Sequence, residues 1–334
     1  MQKRNNVASQ ITIVMYHYVR DMATTRYPDI KALPLEAFKG QIAFILKHFR
    51  VVTMEELLHA VTESKKLPEN ALLLTFDDGY KDHFEFVFPI LDSAGIQGSF
   101  FIPVEAVKEH HVLDVNKIHF VLASVPDKRD ILEEIRALMN RHRAEYGLES
   151  EAHYIRLLAA EECRYDTKEV VFIKRMLQRE LPEAFRVFAT DFLFKKYITE
   201  NESLFARNLY LSTEELKQMK KDGMYIGSHG YNHHWLNTLS RERQKEEITH
   251  SLDFLQKLGC SPEPFAFCYP YGAYNDSLLD VLAEAGCRVS VTTRVGVADI
   301  SKDNPLLLPR LDTNDVPKKE EALPNKWTPK TVMV

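Results

Sequence analysis

Short, almost wholly apolar runs recur along this chain, and amphipathic helical stretches separate them. The runs are Ile11–Tyr16, Ala71–Phe76, Gly98–Ile102, Met224–Gly227, Pro264–Cys268, Arg288–Thr292 and Leu306–Leu308. A strand with one wet face alternates apolar and polar residues. A continuous apolar run marks a strand covered on both faces, as in a parallel sheet wrapped by helices. Strand, helix and strand in succession therefore give an α/β class. About seven such units suit a barrel related to the (β/α)₈ type, although an open doubly wound sheet uses the same units.

The helices have legible ends. Pro34 opens a helical stretch over Leu35–Phe49, with Phe38, Ile42, Ile45 and Leu46 at helical spacing. Thr53 with Glu56, and Ser212 with Glu215, match the capping box, in which each side chain satisfies an orphan N–H of the other residue. Gly95, Gly223, Gly259 and Gly286 each follow a helical pattern, where a left-handed residue is favoured. One segment departs from the alternation. From about Val104 to Asn208 the patterns are helical (Arg129–Arg143, Ala152–Ala160, Lys168–Leu181, Pro182–Tyr197), with no strand between them. That is too long for a plain loop. The expected organisation is a barrel built from residues 1–103 and 209–334, interrupted by a helical subdomain at 104–208.

Composition narrows what such a fold does. The 334 residues include 43 Lys+Arg against 48 Asp+Glu, a net charge of −5, so nothing supports binding to nucleic acid or an anionic membrane. No apolar run approaches the roughly 18 residues that cross a bilayer. The N-terminal MQKRNNVASQ and ITIVMYHYV read as a strand and not a signal peptide, since the apolar part is β-branched and broken by Tyr16 and His17. The four cysteines (Cys163, Cys260, Cys268, Cys287) form no CxxC pair. This argues against a disulfide framework or a cysteine zinc site and fits a reducing, cytoplasmic setting.

Chemistry concentrates where apolar runs end. Leu72–Phe76 runs directly into Asp77, Asp78 and Gly79, and barrel enzymes place their sites at the C-terminal ends of strands. Two adjacent carboxylates repel, and a shared cation resolves the conflict if one ligates it and the other serves as base. The run through Gly227 leads to Ser228, His229, Gly230, Tyr231, Asn232, His233 and His234. Two imidazoles with one carboxylate suit zinc or a similar divalent ion with open positions; His233 and His234 compete as partner to His229. Tyr269-Pro270-Tyr271-Gly272 follows another run and fixes a turn with aromatic walls. His17 and Arg310 each stand at a strand end as well.

These residues together resemble the polysaccharide deacetylase family, carbohydrate esterase family four, with its NodB homology domain. Thr75–Tyr80 resembles the TFDDG motif. Ser228–Leu236 resembles the second motif, two histidines four apart followed three positions on by a hydrophobic residue, and Leu236 stands in that register with His233. Tyr269–Gly272 is similar to the PYG turn of the third motif. The resemblance covers roughly residues 10–102 and 209–312.

It implies a metal-dependent N- or O-deacetylase on a distorted seven-stranded (β/α) barrel. By position, Asp77 would be the general base, and Asp78, His229 and His233 would bind a divalent metal, zinc first, with nickel, cobalt or manganese as alternatives. The Tyr271 N–H would hold the oxyanion, with Tyr269 beside the substrate. Cys268 stands where many members begin the third motif with an arginine; Arg310 is expected to take that role. A late Leu-x-x-His motif is missing, and Tyr16-His17-Tyr18 resembles relatives with permuted strands, so His17 would be the general acid. The expected substrate is an acetylated sugar or glycan precursor inside the cell, used in building a surface polysaccharide. The helical insertion offers a surface through which copies of the chain could associate. Two rivals stand beside this reading: an amidase for a non-sugar amide, and a carbohydrate-binding protein with a decayed site.

Overall fold

The computed structural model describes residues 9–63, 65–158, 166–261 and 263–329, so Cys163 and the end of the Ala152–Ala160 helix expectation lie outside the described residues. Seven strands form a closed parallel barrel: β1 (Gln10–Tyr16), β2 (Ala71–Phe76), β3 (Ser99–Ile102), β4 (Tyr225–Ser228), β5 (Phe265–Cys268), β6 (Cys287–Val295) and β7 (Leu308–Asp312). Each pairs with its neighbour in sequence, and β1 pairs with both β2 and β7, which closes the ring. Two short additions extend it. Ala298–Asp299 runs antiparallel to β1, and Arg50–Val51 runs parallel to β2. The open doubly wound alternative is thereby set aside.

Six of the seven apolar runs match barrel strands to within one residue at their starts, and the seventh, Leu306–Leu308, meets its strand only at Leu308. Leu306 and Leu307 belong to a 3₁₀ turn, Pro305–Leu307, in which the Leu306 N–H donates to the Asn304 side chain at 3.0 Å. The strand begins at Leu308, so Arg310 sits inside β7 and not beyond its end.

Alternation along the strands sorts their side chains into two cores. Ile11, Ile13, Ala71, Leu73, Ala266, Cys268, Val289 and Val291 form one, together with Met54, Leu57 and Leu58 of a helix over Met54–Thr62. That helix starts with the Thr53–Glu56 capping box, both halves of which are made. The opposite faces, Phe265, Phe267 and Tyr269, pack with Leu278, Val281 and Leu282 of the helix Asp276–Glu284 and with Ile248. Ser212 and Glu215 likewise close a capping box at the head of Thr213–Lys221.

The chain divides into two compact units. The barrel unit comprises the described residues up to Ala23, Ala32–Glu109 and those from Arg207 onward; the other comprises Thr24–Lys31 and His110–Ala206. The second unit is helical. Lys128–Tyr146, Glu151–Leu158, Lys168–Arg175 and Glu183–Tyr197 follow the sequence pattern, the third continuing into a widened turn at Met176–Glu180. Asp114–Ser124 is an additional helix. Its Lys117 is fully buried and ion-paired with Asp191 (2.5 Å) and Glu202 (3.0 Å), which offsets the cost of burying an ammonium. Among the described residues no helix is long and apolar enough to cross a membrane.

Candidate active site

Strand register gathers the motifs at one rim of the barrel. Tyr16 pairs with Phe76, so His17 and Asp77 leave neighbouring strands side by side. The Asp77 N–H donates to the Tyr16 carbonyl at 2.9 Å. Ile102 pairs with Ser228 and Ser228 with Phe267, and the His229 N–H donates to the Ile102 carbonyl at 3.0 Å. Strands whose hydrogen bonds continue to their last residue hold such side chains firmly, as preorganised chemistry requires.

Asp77 is held by a guanidinium from the last strand. Arg310, 1% exposed, donates from Nη1 to Asp77 Oδ1 (2.9 Å) and Thr75 Oγ1 (3.1 Å). Its Nη2 lies 2.8 Å from Asp77 Oδ2 and donates to Cys268 Sγ at 3.3 Å, while Nε donates to the Thr292 carbonyl at 2.9 Å. Every N–H of the guanidinium is therefore used, two of them in a fork on one carboxylate. Burial raises the proton affinity of Asp77, but Arg310, His229 and His17 outweigh it and hold the carboxyl below its usual range. His17 is the more exposed partner. Its side chain is 43% exposed, with Nε2 3.9 Å from Asp77 Oδ2.

Asp78, His229 and His233 form the adjoining cluster, all three buried. Asp78 Oδ1 faces His229 Nε2 at 3.5 Å and His233 Nε2 at 3.4 Å. These separations exceed a good hydrogen bond. Two bonds of about 2.1 Å to one tetrahedral ion span about 3.4 Å, so the three donors fit a shared divalent cation. His229 Nδ1 donates to the Cys268 carbonyl at 2.7 Å, which leaves its Nε2 lone pair for an ion. Burial lowers the proton affinity of His233; Asp78 opposes this and His229 adds to it, leaving the ring neutral. A second group, Asp77, His229 and Cys268, also lies close together, but Arg310 occupies both Asp77 oxygens and the Cys268 sulfur. The Asp78 group is the one with donors turned to a cation.

The backbone is strained where these side chains attach. Asp78, His233 and Tyr271 have φ of 71°, 56° and 59°. Bulky residues are uncommon there, and such conformations collect at functional sites. Two contacts hold the second and third in place. Glu247 accepts from the Tyr231 and Asn232 N–H groups (both 3.0 Å) and from Asn232 Nδ2 (2.6 Å), bracing the loop before His233. The Tyr271 ring stacks on Trp235 (centroids 4.3 Å, 4°) and meets His233 edge-on at 4.8 Å.

His234 is half-buried and outside the cluster, whereas Leu236 is fully buried in the outer core, which sets the register of the motif. His233→Ala should weaken metal binding beyond the roughly 10–100-fold cost of losing a mere supporting residue. His234→Ala should titrate like the wild type in the same competition assay with a chromophoric chelator.

Tyr269 is not brought to the site. It packs in the outer core with its hydroxyl donating to the Leu306 carbonyl at 3.0 Å. Parity carried this signal: Cys268 faces inward beside Arg310, so the next residue faces out. Three contributors were missed. His83, buried, donates from Nε2 to the His17 carbonyl at 2.8 Å, Tyr80 touches Asp78, and Glu247 braces the histidine loop. Only Tyr80, directly after the Asp-Asp-Gly run, had a local cue.

The polysaccharide deacetylase family model matches residues 64–154 and 181–290, more than half of the chain. YxkH of Bacillus subtilis (strain 168) is 18% identical over 291 residues, which is 87% of this chain and 67% of that protein. The poly-β-1,6-N-acetyl-D-glucosamine N-deacetylase of Escherichia coli (strain K12) is 33% identical over 82 residues, which is 24% of this chain and only 12% of that protein. The fold is similar to that of the Streptococcus pyogenes deacetylase PplD, solved with acetate (TM-score 0.55, 18% identity, 91% and 92% of the two chains). It is also similar to IcaB from Ammonifex degensii (TM-score 0.53, 17% identity, 90% and 91%).

Proposed function

Because this chain belongs to the polysaccharide deacetylase family and is a carbohydrate deacetylase, we propose that it hydrolyses the N-acetyl group of a hexosamine at a divalent-metal centre. The observation that carries this reading is Asp78 Oδ1 facing two histidine nitrogens at 3.4 and 3.5 Å, beside an Asp77 held by Arg310. The E. coli relative named for poly-β-1,6-N-acetyl-D-glucosamine supports an N-acetylhexosamine within a polysaccharide, or a precursor of one, as substrate.

Asp78, His229 and His233 would hold the ion, and zinc suits two imidazoles and a carboxylate. A divalent cation there supplies Lewis acidity, polarising the acyl carbonyl and making water easier to deprotonate. Asp77, ionised and fixed by the Arg310 fork, accepts the proton of the attacking water. The Tyr271 N–H takes part of the developing negative charge on the acyl oxygen, and one such donor contributes about 3–4 kcal/mol. As the C–N bond breaks, acetate is released and the sugar amine needs a proton. His17, partly exposed beside Asp77, is the group to deliver it.

The test is acetate release from N-acetylglucosamine oligomers and a panel of other acetylated sugars and non-sugar acetamides. Chelation should reduce turnover to background, and zinc should restore it. Metal-replete protein that releases nothing from any member of the panel would overturn the proposal in favour of a binding role.

A further inference from the structure

Asp78 has two carboxylate oxygens, and only Oδ1 faces the histidines. The other, Oδ2, accepts a hydrogen bond from the Tyr80 hydroxyl at 2.5 Å. A phenol ordinarily holds its proton to about pH 10, so beside an ionised carboxylate Tyr80 is the donor. The tyrosine is fixed from three directions. Its ring stacks on Tyr18 (centroids 4.0 Å) and meets His83 edge-on at 5.6 Å. Its backbone bridges to Tyr210, and the Leu211 N–H donates to the Gly79 carbonyl at 2.9 Å. The side chain is fully buried.

We infer that Tyr80 is a positioning residue for the metal centre, occupying Asp78 Oδ2 so that the carboxylate meets the ion through Oδ1 alone. This rests on the metal-centre reading above and specifies how that centre is built. The neighbouring aspartates are thus sorted by their donors: a guanidinium fork secures Asp77 as an anion, and a neutral phenol aims Asp78. With one oxygen engaged, Asp78 leaves coordination positions for water and substrate. With Tyr80 absent, Oδ2 turns to the ion as well, and the carboxylate becomes bidentate or swings.

The experiment compares wild type, Tyr80→Phe and Tyr210→Phe by competition titration with zinc and by the visible spectrum of the cobalt(II)-loaded proteins. Tyr80→Phe should bind zinc about 10–100-fold more weakly, and its cobalt bands should shift and lose intensity as coordination number rises. Tyr210→Phe, which removes a neighbouring buried hydroxyl, should match the wild type in both. Wild-type affinity and spectrum in Tyr80→Phe would overturn the inference, as would equal losses in Tyr210→Phe. If Tyr80→Phe does not fold, proton NMR of the wild type decides. A slowly exchanging, far-downfield tyrosine hydroxyl should persist when zinc is added, and its loss on zinc addition would overturn the inference. If the wild type itself fails to bind zinc or cobalt, the metal-centre reading fails, a distinct result.

Discussion

Asp77→Asn should lower kcat by about 10²–10⁴-fold, the usual contribution of a positioned base, while zinc binds with nearly wild-type affinity. The two effects separate because the adjacent carboxylates have separate partners: Arg310 for Asp77, and Tyr80 with the two histidines for Asp78. Asparagine keeps the shape and one acceptor for the guanidinium but cannot take a proton from water. KM for an N-acetylated oligomer should change little. Metal content by elemental analysis, measured on the sample used for kinetics, checks the claim. If Asp77→Asn loses its metal in step with its activity, Asp77 is a ligand and not the base.

Arg310→Met should destabilise the protein by about 3–5 kcal/mol, the usual cost of leaving a buried charge without its partner. Arg310→Lys should recover only part of this, because an ammonium cannot reproduce the fork on Asp77 together with the bonds to Thr75, Thr292 and Cys268. The effect should depend on pH in a definite direction. Asp77 is held below its usual range in the folded state. Its pairing therefore stabilises the fold above the unfolded carboxyl value of about 4, and this contribution fades as pH falls below that point. In the variant, burial without the guanidinium raises the Asp77 carboxyl, which takes up its proton before pH falls to about 4, and this relieves the penalty. Urea unfolding should show wild type and Arg310→Met far apart at pH 7 and converging below pH 4. A gap that stays constant across that interval would mean that packing, not charge, accounts for the loss. Turnover at neutral pH should fall as well, since a protonated Asp77 accepts nothing.

Much of this is legible in the amino-acid sequence. Six of the seven barrel strands announce themselves as apolar runs because both faces are covered, and the capping boxes at Thr53 and Ser212 mark helix starts by local chemistry alone. Asp78, His229 and His233 could be singled out because ligand chemistry restricts residue type and spacing. Elsewhere, decisive contacts come from distant parts of the chain. Leu306 and Leu307 look like strand, but Pro305 and the Asn304 cap turn them into a 3₁₀ turn. The helix Asp114–Ser124 begins at Leu113 without a side-chain cap, so it left no start signal. Residues 24–31 join the helical unit through tertiary contacts that have no local trace. Tyr80, His83 and Glu247 matter through the groups that they touch, and a pattern read along the sequence cannot see across the barrel.

The place of Arg310 on β7 also sets the order in which the enzyme becomes competent during synthesis. Six strands, both aspartates, His229 and His233 leave the ribosome before β7 does. Until it arrives, β1 lacks its pairing with β7, and Asp77 lacks the guanidinium 2.8 Å away that is its nearest cation. A nascent chain that ends before Arg310 carries Asp78, His229 and His233 but lacks the guanidinium fork on Asp77. On the proposed mechanism, the setting of the base is thus completed by the barrel strand that is made after the other six.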